Sequence, residues 1–446
     1  MAEKNLKLNA PGFTEILSEK DGSKVQRSIL PGGIRVLTEK MPGQRSATVG
    51  MWIGVGSRDE HEGQHGSTHF LEHLLFKGTG KRSSIDIAEA FDEVGGESNA
   101  ATSKETTCYY ARILDNDLPM AVDVIGDMVT NASLDARELE NERSVILEEI
   151  AMDHDDPSDL VHEKFAESVL EGSQLARPIG GTTQAILEVP RDSVMKHYHK
   201  FYRPEQLVVT AAGGVDHDAI CEQVLAVVSQ QWDLDENTKP VELRHKVAAQ
   251  LTQKKHVEVV NKPLEQTNII LGTQSMIATD DRRHVQHVMN SILGSGMSSR
   301  LFQEIREKRG LAYSVHSFAA GYSDAGYFGM YAGCAPEKAT EVTKLMRAEL
   351  EKLALHGVTD TELKKAKGQI SGGMVLALED TGSRMSRLGS AELALGKYYD
   401  VEDSLKKSQA VTKEQVQELA QVLCEGNQVL SVVGPYQDST KFEGLV

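Results

Sequence analysis

Alternating apolar and polar positions around Val25 to Leu30 meet Pro31-Gly32-Gly33 and resume from Ile34 to Leu37, the pattern of two strands joined by a hairpin. Further extended segments follow, and then the period lengthens. Leu71, Leu74 and Leu75 belong to a helix that starts near Ser67 and stops at Gly78, and a second helix is expected from Ser84 to Val94. Gly95-Gly96 breaks the pattern before an extended stretch, Ser98 to Leu114, rich in Thr and Tyr. A helix over Leu118 to Thr130 comes next. The long helix after it opens at Asp135, with Glu138 three residues on as in a capping box, and closes at Asp155-Asp156-Pro157. Ahead of all this, residues 1–22 are polar and mixed in charge and read as a frayed tail.

Residues 237–255 include Pro240, carry no sustained apolar period and read as a linker. Beyond them the order of elements restarts. Strands at His256 to Val260 and Asn268 to Met276 precede a helix from Arg282 to Leu293, then Gly294, another helix, a Tyr- and Gly-rich extended stretch and more helices. The repeated order implies an internal duplication and an α+β fold: two similar domains, residues 23–236 and 256–446, each a mostly antiparallel sheet with helices packed against one face, set across a gap.

A chain of 446 residues with 40% hydrophobic content is long enough for two or three packed domains. Its net charge of −18 argues against nucleic acid as a partner and is compatible with cationic peptides, or simply with solubility. Apolar runs such as Leu207 to Ala212 fall well short of the roughly twenty residues that span a bilayer. Met1 to Asp21 lacks the apolar core of a secretory signal. Cys108, Cys221, Cys334 and Cys424 form no C-x-x-C pair. The expectation is a soluble cytoplasmic protein with no membrane or nucleic-acid partner.

His69 and His73 stand four residues apart on the first helix, so both imidazoles share one face, near enough to hold one metal ion, and Glu72 lies beside them. A catalytic zinc takes three protein ligands and keeps a position for water. Glu149 is the candidate third ligand. Glu142 and Glu149 fall on one face of the long helix but roughly 10 Å apart along it, so they do not share an ion; Glu142 suits the task of orienting His73 or a neighbouring ligand. Glu72 then serves as general base toward water and the leaving amine. If Gly78 is matched with Gly294, the second-half counterparts of His69, Glu72 and His73 are Val285, Val288 and Met289, and matching Leu139 with Leu363 sets Ala366 and Gly373 opposite Glu142 and Glu149. The same positions are thus apolar or small where no metal is needed.

These residues, His69-x-x-Glu72-His73 with Glu149 and Glu142 far downstream and the stretch Gly95-Gly96-Glu97-Ser98-Asn99-Ala100, resemble the pitrilysin and insulinase family of inverted-motif zinc peptidases, and within it the bacterial relatives of the mitochondrial processing peptidase β subunit. The resemblance covers nearly the whole chain. It implies a zinc-dependent endopeptidase with one zinc per chain that cuts peptides or unfolded polypeptide segments, built as half of a clamshell and acting as a homodimer. It implies that Asn99 and Ala100 pair with an extended substrate, with Phe76 also contacting it. It assigns Arg306 and Tyr313, in Arg306-Glu307-Lys308-Arg309-Gly310-Leu311-Ala312-Tyr313, to the pair that reaches the substrate from the partner's C-terminal half; by spacing alone the same residues read equally well as the basic end of a surface helix. The short run Gly294 to Ser299 departs from the extended Gly-rich loop of the mitochondrial α subunit and argues against presequence processing. The competing readings are an inactive scaffold and a peptide-binding chamber; the scaffold has lost its metal site in relatives, whereas all four key residues stand here.

Overall fold

The computed structural model describes residues 4–20, 22–244, 247–249, 251 and 254–446. Residues 1–3 and 21 of the expected tail, and 245, 246, 250, 252 and 253 of the expected linker, lie outside the described residues. The strands of the first half are β1 (Lys4–Asn5), β2 (Thr14–Lys20), β3 (Ser23–Ile29), β4 (Arg35–Lys40), β5 (Ser46–Ile53), β6 (Glu97–Thr102), β7 (Thr107–Leu114) and β8 (Leu207–Gly213). Those of the second half are β9 (His256–Asn261), β10 (Thr267–Gln274), β11 (Ala312–Gly321), β12 (Gly326–Cys334), β13 (Lys397–Tyr398) and β14 (Val429–Gly434). Helices α1 (Ser67–Leu75), α2 (Ser84–Asp92), α3 (Leu118–Asn131) and α4 (Ala136–Asp155) match the first-half pattern, α5 (Pro157–Val169) follows without having been expected, and Asp135 caps α4 by accepting from Arg137 N and Glu138 N.

The chain forms two compact units, Met1–Ile150 with Arg177–Arg244 and Leu376–Asp400, and Ala151–Ala176 with His245–Val375 and Val401–Val446. In the first, seven strands run in the order β2-β3-β4-β8-β5-β7-β6; in the second, five run β11-β12-β10-β14-β9. Read from β4 and from β9, the two orders coincide strand for strand, including the single parallel pair, β4 with β8 and β9 with β14. The duplication legible in the sequence is therefore carried down to strand direction.

Each sheet is covered on both faces, where one covered face is the expectation from sequence. In β4 and β8, Val36 and Val209 belong to the core that includes α3 residues, while Leu37 and Val208 pack with Leu388 of the helix Thr381–Ser390. The alternation follows from the strand period of two, and β8 is buried throughout its length. In the second unit α5 plays the same part: Leu160, Val161 and Phe165 pack on Ile270 and Val433, opposite the face formed by Ile269, Leu271 and Val432. The covering helices are exchanged along the chain, α5 coming from the first half and Thr381–Ser390 from the second, so the units are interleaved rather than contiguous at 23–236 and 256–446. Close approach is permitted by glycine: a Cβ on Gly50 would stand 2.7 Å from Met385 Sδ, and one on Gly389 would stand 2.6 Å from Trp52.

Buried charge ties the returning helix down. Arg27 makes two bonds of 2.8 Å to Glu392, and Glu39, also buried, pairs with Arg384 and with Arg387 at 3.0 Å. The expected frayed tail is ordered where described: β2 pairs antiparallel with β3, and β1 pairs with β13. Only Leu6 and Leu17 are buried apolar residues there, so backbone pairing at a polar edge carries the segment and leaves little periodic signal. The expected linker holds no helix or strand among its described residues, and Arg244 pairs with Asp59 of the first unit. Replacing Glu39 by Ala removes the buried carboxylate shared by two half-buried guanidinium groups and is expected to lower unfolding stability by about 3 kcal/mol, read from the urea midpoint; an unshifted midpoint contradicts this role.

Candidate metal centre

Helix α1 buries Phe70, Leu71, Leu74 and Leu75 in the core of the first unit, which fixes its rotation and turns His69 and His73 toward α4. Their Nε2 atoms lie 3.3 Å apart. Glu149 Oε2 stands 3.6 Å from His69 Nε2 and 3.5 Å from His73 Nε2. Donors about 2.0–2.2 Å from one tetrahedral zinc are separated from each other by roughly 3.3–3.6 Å. The three observed separations fit that figure, and these three residues form a metal-capable group among the described residues.

The opposite nitrogen of His73 explains the protonation pattern. Nδ1 lies 3.0 Å from Glu142 Oε2, and Lys77 Nζ holds the other oxygen of Glu142 at 2.7 Å. A carboxylate paired with Lys77 only accepts, so Nδ1 of the neutral ring carries the proton and Nε2 presents a lone pair to His69 and Glu149. Converging donors of this kind call for a cation. Glu142 is buried whereas the Glu149 side chain is 45% exposed, so the cluster opens to solvent on the Glu149 side.

Glu72, half-buried on the same helix, makes no hydrogen bond or ion pair among the described residues, which leaves its oxygens available. It lies near the buried phenols of Tyr109 and Tyr202, whose hydroxyls are 2.8 Å apart. Burial pushes both phenols up, and the Glu72 charge adds to the push. Phe76 caps the C-terminus of α1 with its ring 6.3 Å from that of Tyr109. Asn99 and Ala100 sit on β6, the outermost strand of the sheet, paired only with Tyr110 and Tyr109 of β7; Ala100 N donates to Asn99 Oδ1 at 2.8 Å.

Arg306 and Tyr313 belong to the second unit. The Arg306 guanidinium lies 4.5 Å over the Tyr313 ring and 4.7 Å over that of Phe302, and its Nη1 donates to Tyr313 O at 3.0 Å. Tyr313 is 78% exposed, and with Met297, Phe302 and His316 the pair lines a cavity of about 270 Å³. Tyr313 lies on β11, which matches β6 in the corresponding sheet order. In the second unit Val285, Val288 and Met289, the counterparts of the histidine motif, are buried core residues. Sequence reading passed over Lys77, although it follows His73 by four residues, in the turn just past the end of α1, a spacing that signals a shared partner.

A family model described as Insulinase (Peptidase family M16) matches residues 35–183, and one described as Peptidase M16 inactive domain matches residues 188–370. A protein of Streptomyces coelicolor named as an uncharacterized zinc protease is 47% identical over 428 residues, 95% of this chain and 93% of its own. The Bacillus subtilis zinc protease YmxG, also named as uncharacterized, is 36% identical over 413 residues, 92% of this chain and 98% of its own. Among solved structures, a protease from Helicobacter pylori shares the fold with a TM-score of 0.83 at 22% identity, covering 93% of this chain and 100% of its own. A peptidase M16 inactive domain from Pseudomonas fluorescens does so with a TM-score of 0.82 at 20% identity, covering 92% and 98%. The chain belongs to the insulinase family of peptidases, M16.

Proposed function

We propose that this protein is a zinc-dependent endopeptidase acting on peptides or unfolded polypeptide segments, with one zinc per chain held by His69, His73 and Glu149. The observation that carries the reading is the convergence of their three donor atoms at 3.3–3.6 Å, the spacing zinc requires. Relatives named as zinc proteases support it.

Zinc, when bound, supplies a Lewis acid that acidifies water and polarises a carbonyl. Glu72 takes the proton of the attacking water and passes it to the leaving amine nitrogen, a transfer for which a carboxylate with unengaged oxygens beside the metal is suited. Glu142, with Lys77 on its far oxygen, keeps His73 in the tautomer that offers Nε2. The free edge of β6 offers backbone groups to an extended substrate at Asn99 and Ala100, next to Phe76.

Arg306 and Tyr313 act on the substrate from the second unit of a partner subunit in a homodimer, Tyr313 toward the developing oxyanion and Arg306 toward the substrate backbone. The resemblance of Arg306 to Tyr313 to the family pair supports this, as does the exposure of the stacked side chains. No helix among the described residues is long and apolar enough to cross a membrane, and the four cysteines are free, which supports a cytoplasmic setting.

Glu72→Gln is expected to bind zinc as wild type does and to cleave an unstructured basic peptide at least about a hundredfold more slowly, the scale of a lost general base; wild-type cleavage that survives chelation, or a variant that cuts normally, contradicts the mechanism. Glu142→Ala is expected to weaken zinc binding roughly 10–100-fold, measured by chelator competition. Mixing Glu72→Gln with Tyr313→Phe subunits restores cleavage if the two groups act from different chains, and leaves it absent if they do not.

A further inference from the structure

The first N–H groups of a helix have no intrahelical partner and must find one elsewhere. At α1 that partner comes from outside the helix. Glu60 Oε2 accepts from Gly66 N and Oε1 from Thr68 N, both at 2.8 Å, and Gly66 adopts the left-handed conformation (φ 88°) that turns its N–H toward this carboxylate. Glu60 is only 2% exposed. Burial pushes its carboxyl up to about 7, while the bonds from Thr68 and Gly66 hold it down. A serine hydroxyl at the N-cap would satisfy one of these N–H groups without burying a carboxylate. The costlier arrangement therefore does something a simple cap does not.

What it does is visible in its neighbours. Arg177 Nη1 donates to the backbone O of Glu60, and Lys104 Nζ donates to Arg177 O at 2.6 Å. The segment that starts there brings Gly180 against His69, where a Cβ would stand 3.6 Å from Nδ1, and sets Gly181 back to back with Gly66, where a Cβ would stand 3.2 Å from Gly66 Cα. Thr68 Oγ1 bonds the buried His197 Nε2 at 3.0 Å. Glu60 thus anchors the turn that carries His69 through its carboxylate and meets the segment packed on the His69 ring through its backbone carbonyl.

We propose that Glu60 is a positioning residue for the metal centre: by fixing the first turn of α1 it sets where His69 Nε2 stands relative to His73 and Glu149. The inference rests on the zinc reading above. His73 lies one turn further on, inside the hydrogen-bonded part of the helix, so loosening the first turn displaces His69 alone.

Zinc affinity of the full-length chain, by competition with a chromophoric chelator, and the visible spectrum of the cobalt-substituted protein are compared for wild type, Glu60→Ala and Glu60→Gln, beside the melting temperature of each metal-free protein. Glu60→Ala is expected to lose roughly tenfold or more in zinc affinity with altered cobalt bands. Glu60→Gln, which keeps one acceptor oxygen, falls between it and wild type. Wild-type affinity and spectrum in Glu60→Ala, whatever its melting temperature, overturn the proposal; if that variant does not fold, the same result in Glu60→Gln overturns it. Wild-type protein that binds no zinc sinks the zinc reading itself, a distinguishable failure.

Discussion

A neutral imidazole has one proton for two nitrogens, and in His73 that proton is committed to Glu142. Everything at the centre follows from this bond. It leaves Nε2 as a lone pair, sets the ring plane, and ties α1 to α4 so that Glu149, two turns beyond Glu142, arrives at the far nitrogen. Two acids on one helix face thus address the two sides of a single ring. Neither helix is free to rotate away, since α1 is locked by Phe70, Leu71, Leu74 and Leu75 and α4 buries Leu139, Ile146 and Ile150.

The duplicated scaffold shows how little of the fold the centre demands. The second unit repeats strand order, strand direction and the helix that follows β10, yet fills the ligand positions with Val285, Val288 and Met289. Apolar side chains there give packing without any need for a cation to offset buried polar groups. In exchange the second unit offers, at the strand equivalent to β6, an arginine stacked on an exposed tyrosine. One architecture carries two different side-chain clusters because each is a matter of a few residues on a shared scaffold.

Much of this was legible in sequence for a physical reason: periodicities of two and of three to four are imposed by burial, and helices α1 to α4 and the repeated order were read from them. The pairs His69 with His73 and Glu142 with Glu149 were legible because helix geometry relates i to i+4 and i to i+7, whereas the meeting of the two helices was expected from zinc's need for a third ligand and from the family resemblance. Three features were not. The strand Thr14–Lys20 is held by backbone pairing and carries almost no apolar pattern. The second covered face of each sheet depends on helices distant in the chain, which no local period records. Glu60 acts through backbone N–H groups, which have no residue-type signature.

The exchanged helices give the chain a property of a knotless clasp. Each half lends the other a helix, so neither half is a self-sufficient folding piece: a fragment ending near residue 244 would leave Leu37, Val208 and Trp52 without their cover, and a fragment beginning there would lack Phe165 beneath Gly272. The protein is, in that sense, committed to being synthesised whole, and its two similar units are bound to a common fate in folding and turnover.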